Sequence, residues 1–249
     1  GDLSTRQYLG GRDLLAPFVD EEREYPDWTT ALHVEGDEQV EALVHRDNIF
    51  FNEALIEEFI RRGREARQPV QLAFHATDPS IAFHVAPLSQ GVRRQDDLML
   101  AEMYYLPQGV GGCEDAVPLV VDTESRERGY YHIPPYMATD FGDLVYQLPR
   151  KAFIVIESWV HLFVADVLFG VFARGVDTED RINRDWRYKI KILLRALVEQ
   201  KTVLESSELV QIGRNANIDA SARIHGPAII GNNVTIGAGA VIDNCIIGD

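Results

Sequence analysis

Cysteine is nearly absent: the 249 residues hold two, Cys113 and Cys245, in distant segments. That excludes a disulfide framework and the paired spacing of a zinc site, and makes the reducing cytosol the expected compartment. Positive charge is scarce too. Lysine and arginine number 24 against 39 aspartates and glutamates, a net charge of −15. Surfaces for nucleic acid or anionic membranes need clustered lysine and arginine, so the balance argues against both, while leaving room for a local basic pocket around one phosphorylated ligand. A long uncharged apolar run is also missing. The best candidate, FIVIESWVHLFVADVLFGVF (153–172), nears bilayer length but contains Glu157, His161 and Asp166. Ionisable groups at that depth are costly, so a buried helix is expected and no membrane span. No secretory leader pattern opens the chain.

What is present is a period. Isoleucine stands at 212, 218, 224, 230, 236 and 242, and four residues after each come Ala216, Ala222, Ala228, Val234, Ala240 and Ile246. A helix would repeat at three and four residues and a strand at two. A six-residue period fits a short extended segment, a corner, and the next segment. Gly213, Gly231, Gly237 and the asparagines at 215, 217, 232 and 233 suit tight corners. Repeats this short mark parallel β-helices. The run resembles the hexapeptide repeat of left-handed β-helix proteins, in which three hexads make one triangular coil; 212–229 and 230–247 would be two coils. The resemblance implies a homo-oligomer, a trimer in that family. Terminal repeats need caps, and a first residue of Gly1 with a last hexad breaking off at CIIGD leads us to expect a piece of a longer protein.

Upstream, strand-like and helix-like stretches alternate, which predicts an α/β fold. Strands are expected at 30–34, 41–45, 70–76, 80–88, 98–106, 117–123 and 129–134. NEALIEEFIRRGREA (52–66) reads as an amphipathic helix with Asn52 as N-cap and a stripe of Leu55, Ile56, Phe59 and Ile60. Its arginines at 61, 62, 64 and 67 read as a solvated face. One long helix is expected over 177–206, capped by Asp177 or Thr178. The expected domains are an α/β domain over 1–176, a connecting helix over 177–206 and the β-helix over 207–249.

LVHRDNIFFNEALIEEF (43–59) places an aspartate at a strand's C-terminal end, before a helix; open α/β sheets bind ligands at that edge. Asp47-Asn48-Ile49-Phe50, followed by a helix, a strand and Asp78-Pro79, resembles the sugar-nucleotide nucleotidyltransferases, whose Rossmann-like domain carries a Gly-Asp-Asn-Ile-Phe turn. The resemblance implies that Asp47 holds Mg²⁺, a hard cation that takes oxygen ligands, with Arg46 and Asn48 contacting a sugar phosphate or nucleotide-sugar ligand. The chain departs from the family in two places. Arg46 stands where the family has glycine, and LGGRDLLAP (9–17) lacks the spacing of its glycine-rich phosphate loop.

Three other stretches are candidates. His225, the histidine of the repeat, suits a general base because imidazole titrates near working pH; hexapeptide acyltransferases use a histidine this way on an acceptor hydroxyl or amine. Glu157 and His161, four apart, are placed to hydrogen-bond. RERGYYHIPPYM (126–137) could stack on a sugar or base. The function expected first is nucleotidyl transfer to a sugar 1-phosphate with Mg²⁺. The alternatives are acyl transfer from acyl-CoA on the β-helix, and a non-catalytic binding or assembly protein.

Overall fold

The structure, a computed structural model, describes residues 41–87, 89–109, 113–130, 144–199, 209–225, 228–243 and 245–248. The expected strand at 30–34, the segment 9–17, residues 131–137 of the tyrosine-rich stretch 126–137 with most of the expected strand at 129–134, and the end of the helix at 200–206 lie outside them. Two compact units emerge, one over 41–165 and one over 166–248. The fold is mixed α/β.

In the first unit the sheet is organised around β5 (Leu98–Leu106), a nine-residue strand that is apolar almost throughout. One edge of β5 pairs antiparallel with β4 (Val92–Gln95) over its first half and with β1 (Ala42–His45) over its second. The other edge pairs antiparallel with β3 (Val70–His75), which continues in parallel to β6 (Val117–Val120). β3 is buried from Val70 to Phe74, as a strand lined on both edges requires. Two smaller ladders join β2 (Ile49–Phe51) to β9 (Phe153–Val155), and β7 (Arg126–Tyr130) to β8 (Leu144–Leu148).

Helix α1 (Glu53–Ala66) forms as its sequence dictates. The Asn52 side chain accepts from the Leu55 amide at 3.1 Å, and Leu55, Ile56, Phe59 and Ile60 are buried. Gly63 completes this face. A Cβ there would sit 2.5 Å from the Tyr105 ring, so glycine sets how closely the helix approaches β5. Above that contact the Glu41 carboxylate pairs with Arg64 and accepts from the Tyr105 hydroxyl at 2.5 Å. Burial, reinforced by Glu41, pushes the Tyr105 hydroxyl from 10.0 up to about 12. Because the folded value exceeds the unfolded one, stability is intact below pH 10 and declines as the pH rises towards 12. Between those limits the wild type should lose about 2 kcal/mol more than Tyr105→Phe, measured by urea unfolding across the pH series. Parallel curves for the two proteins would refute it.

Two expectations fail here. The stretch 80–88 is not a strand: Ile81–Val85 is a single wide helical turn, because the Asp78 carboxylate accepts from the amides of Ser80 and Ile81 and starts a helix. The apolar run is not one helix from 153. Phe153–Val155 is strand β9, buried on all three residues. Helix begins only at α2 (Trp159–Phe163) and continues through wide π-type turns, Val164–Phe172, into α3 (Ala173–Arg184). No helix among the described residues is long and apolar enough to cross a membrane.

In the second unit the expected long helix is broken. α3 ends at Asp185, whose carboxylate accepts from the amides of Arg187 and Tyr188 and so caps a new helix, α4 (Trp186–Glu199). The repeat follows as seven short strands: β10 (Val210–Ile212), β11 (Asn217–Ile218), β12 (Arg223–His225), β13 (Ala228–Ile230), β14 (Thr235–Ile236), β15 (Val241–Asp243) and β16 (Ile246–Ile247). They form three separate parallel ladders: β10 on β13 on β16, β11 on β14, and β12 on β15. Partners such as Asn217 and Thr235, or Ile224 and Ile242, lie 18 residues apart, the length of three hexads. Ile230 and Ile236 are buried. Ile212 is 56% exposed, against the expectation, because β10 is the edge strand of its ladder.

Corners stack as well as strands. Asn215 and Asn233 both adopt left-handed backbone, φ 57°, a conformation asparagine tolerates. The Asn215 side-chain amide donates to the Asn233 side-chain carbonyl at 3.3 Å. The last rung departs from the period: Ile246 pairs with Ile229 and Ile247 with Ile230, an offset of 17. The amides of Ile229 and Gly231 donate to the carbonyls of Cys245 and Ile247, matching that shift. Ile247, not a residue six beyond Ile242, therefore takes the core position, and Ile246 does not continue the small-residue register.

Candidate functional site

The expected nucleotide-site residues share one turn. Arg46, Asp47 and Asn48 connect β1 to β2, and Asp47 is exposed. The buried strand β2 intervenes between this turn and α1, so the motif is strand–turn–strand–helix. Arg46 forms an ion pair with Glu102. The Asn48 side-chain amide donates to the Ile156 carbonyl at 3.2 Å, and the Ile156 amide donates back to the Asn48 carbonyl at 2.7 Å. Asn48 thus ties the turn to the end of β9. Its buried side-chain oxygen has no hydrogen-bond partner. Among the described residues no group of three or more histidines, cysteines, aspartates or glutamates is arranged to hold a metal.

A buried polar network at the C-terminal ends of the parallel pair β3 and β6 was not foreseen. Asp78, 7% exposed, accepts from the backbone amides of Ser80, Ile81 and Thr123 and from the Thr123 hydroxyl. Next along the chain, Glu124 adopts left-handed backbone, φ 51°. The buried Lys151 ammonium lies 2.8 Å from Glu124 and 2.5 Å from Glu58. Burial works against that charge, but the hydrogen bonds it donates to Glu124 and Glu58 outweigh it and hold Lys151 above the usual lysine range. The Lys151 and Arg150 hydrogen bonds hold the Glu124 carboxyl below its ordinary range. Glu157 and His161 do hydrogen-bond, through the backbone of Glu157 and not its carboxylate. His161, 1% exposed, accepts from the Glu157 backbone amide through Nδ1 at 3.0 Å, while the Glu157 carboxylate accepts from the Gln90 amide.

His225 belongs to the other unit. It ends β12, half-buried like its neighbour Ile224. Its register partner on the next rung is Asp243. Neighbouring parallel strands lie about 4.8 Å apart, and residues at one register position share a face, so His225 and Asp243 occupy adjacent positions on paired strands. A carboxylate beside an imidazole can orient it and stabilise its protonated form. Cys245 lies two residues beyond Asp243; burial, and then the Asp243 charge, pushes its thiol up, which keeps it protonated and a poor nucleophile. The sequence holds one signal for Asp243 that we did not use: it lies 18 residues, one full coil, after His225.

Residues 210–244 match the family model described as bacterial transferase hexapeptide, six repeats. The matched span includes both His225 and Asp243. It supports the hexapeptide-repeat resemblance of the C-terminal part.

Proposed function

We propose that the chain is an acyltransferase of the hexapeptide-repeat type, with acyl-CoA as donor. The observation behind this reading is the transferase-hexapeptide match over a segment in which the coil sets His225 beside Asp243. In this reading the coils of 207–249 form a left-handed β-helix joined by the arm 177–206 to the domain 1–176, and three copies assemble as a trimer. His225 takes the proton from an acceptor hydroxyl or amine as that atom attacks the thioester carbonyl. The tetrahedral intermediate expels the CoA thiolate, which receives the proton from the imidazolium. Asp243 orients the ring.

The test is thiol release from acetyl-CoA with a panel of amino sugars, nucleotide sugars and sugar phosphates as acceptors. His225→Ala should lower kcat about 100-fold or more with an unchanged far-ultraviolet spectrum, and Asp243→Asn should lower it less. Acceptor-dependent thiol release that survives His225→Ala would remove His225 from the chemistry; none with any acceptor would defeat the reading.

Nucleotidyl transfer, with Mg²⁺ on Asp47, has only the position of the turn in its favour, and Arg46 and Asn48 there are committed to Glu102 and Ile156. Pyrophosphate release that Asp47→Asn abolishes would restore it.

A further inference from the structure

Helix α4 leaves an apolar face uncovered. Trp186 is 65% exposed, Leu194 57%, Leu197 74% and Val198 79%, with Ile190 and Leu193 close to half. At about 100° per residue, Trp186, Ile190, Leu193, Leu194 and Leu197 fall within an arc of about 100°. Ile192 and Ala196, the buried pair, fall outside this arc. A soluble helix normally turns its apolar stripe inward; this one has a second stripe facing out.

The charge around that stripe is unlike the rest of the chain. α4 carries Arg187, Lys189, Lys191 and Arg195 against one acid, Glu199, in a protein of net charge −15. On the helical wheel Lys189 borders the apolar arc on one side and Lys191 on the other, with Arg187 at its margin; Arg195 lies further round and pairs with Glu199 at 2.7 Å. Beside the second flank an open depression of about 430 Å³ is lined by Arg181, Asp185, Arg187, Tyr188, Lys191 and Gln211, room for a phosphate headgroup. Like charges flanking the arc disfavour a second copy of the same helix as its cover. They favour a surface that is apolar inside and anionic outside.

We propose that α4 is an interfacial helix that docks this protein on an anionic lipid bilayer. The apolar arc enters the acyl boundary, the flanking cations contact lipid phosphates, and Trp186 sits at headgroup level. The overall negative charge does not prevent this, because charges beyond about 8 Å are screened at physiological salt.

The test is flotation of the full chain with vesicles of phosphatidylcholine alone and of phosphatidylcholine with phosphatidylserine. Binding is expected only to the second, weakening as salt is raised. Each cation near an anionic surface contributes about a fivefold factor, so Lys189→Ala with Lys191→Ala should weaken binding about 25-fold. Leu194→Ser with Leu197→Ser should weaken it more than tenfold, with far-ultraviolet spectra unchanged. No flotation with phosphatidylserine, or flotation that the leucine variant leaves intact, overturns the proposal. So does a concentration-dependent oligomer that the leucine variant dissolves in the absence of vesicle binding, which would make this face a contact between copies.

Discussion

Asp78→Ala should cost the first unit about 4 kcal/mol, since each buried donor left without an acceptor costs about 1–3 kcal/mol. The carboxylate takes three backbone amides and one hydroxyl, from Ser80, Ile81 and Thr123, and it is buried where water cannot replace it. It holds together two things that are separate in sequence: the helical turn after β3 and the end of the β6 strand. Thr123→Val removes one donor along with its share of the acceptor, and should cost about 1 kcal/mol. Urea unfolding followed by tyrosine fluorescence measures both. Equal, small effects would mean that the network is not the anchor of this edge.

The second large effect is expected at Gly213. A Cβ there would lie 2.4 Å from the carbonyl carbon and oxygen of Gly231 and 2.7 Å from the Asn232 nitrogen. These are backbone atoms of the next coil, so no side chain can swing away, and the ladder between β10 and β13 must part. Gly213→Ala should therefore cost about 3 kcal/mol or more, the upper end for overpacking. Gly237→Ala is the control: nothing lies within 4 Å of its Cβ position, and the change should stay within about 0.5 kcal/mol. Hydrogen exchange at the amides of Gly213 and Gly231, which donate to Ile230 and Ile247, reads the difference directly. Matching protection in both variants would show that the coils do not meet as described.

Local chemistry made some elements legible and hid others. α1 was readable because Asn52 and the stripe from Leu55 to Ile60 state cap and face together. β5 was readable to the residue because 98–106 is bounded by Asp97 and Pro107. The turn at 81–85 was misread because Ile81, Phe83 and Val85 alternate like a strand; the helix-starting group is a side chain three residues upstream. The break before α4 was missed for a similar reason, since the apolar stripe runs through Asp185 while its carboxylate caps the next helix. The pairing of short strands 18 residues apart was visible as a period, and His225 as a candidate with it. Asp243 was not, because its nearness to His225 exists only once coils are stacked. The network of Glu58, Glu124 and Lys151 joins segments separated by 27 to 93 residues, and no local pattern announces it.

The shortened last rung separates two notions of continuity. As text, the repeat runs on a frame of six that reaches Ile242 and then slips by one letter, and the family match stops at 244, where the frame is lost. As an object, nothing stops: Ile246 and Ile247 dock on the rung beneath them through the same parallel ladder. A corner of the coil can absorb a single-residue deletion that a strand could not, because losing one residue within a strand would turn every later side chain to the other face. Insertions and deletions in this segment should therefore be tolerated only at corners, and coils lying beyond such a slip remain invisible to any search that insists on the period.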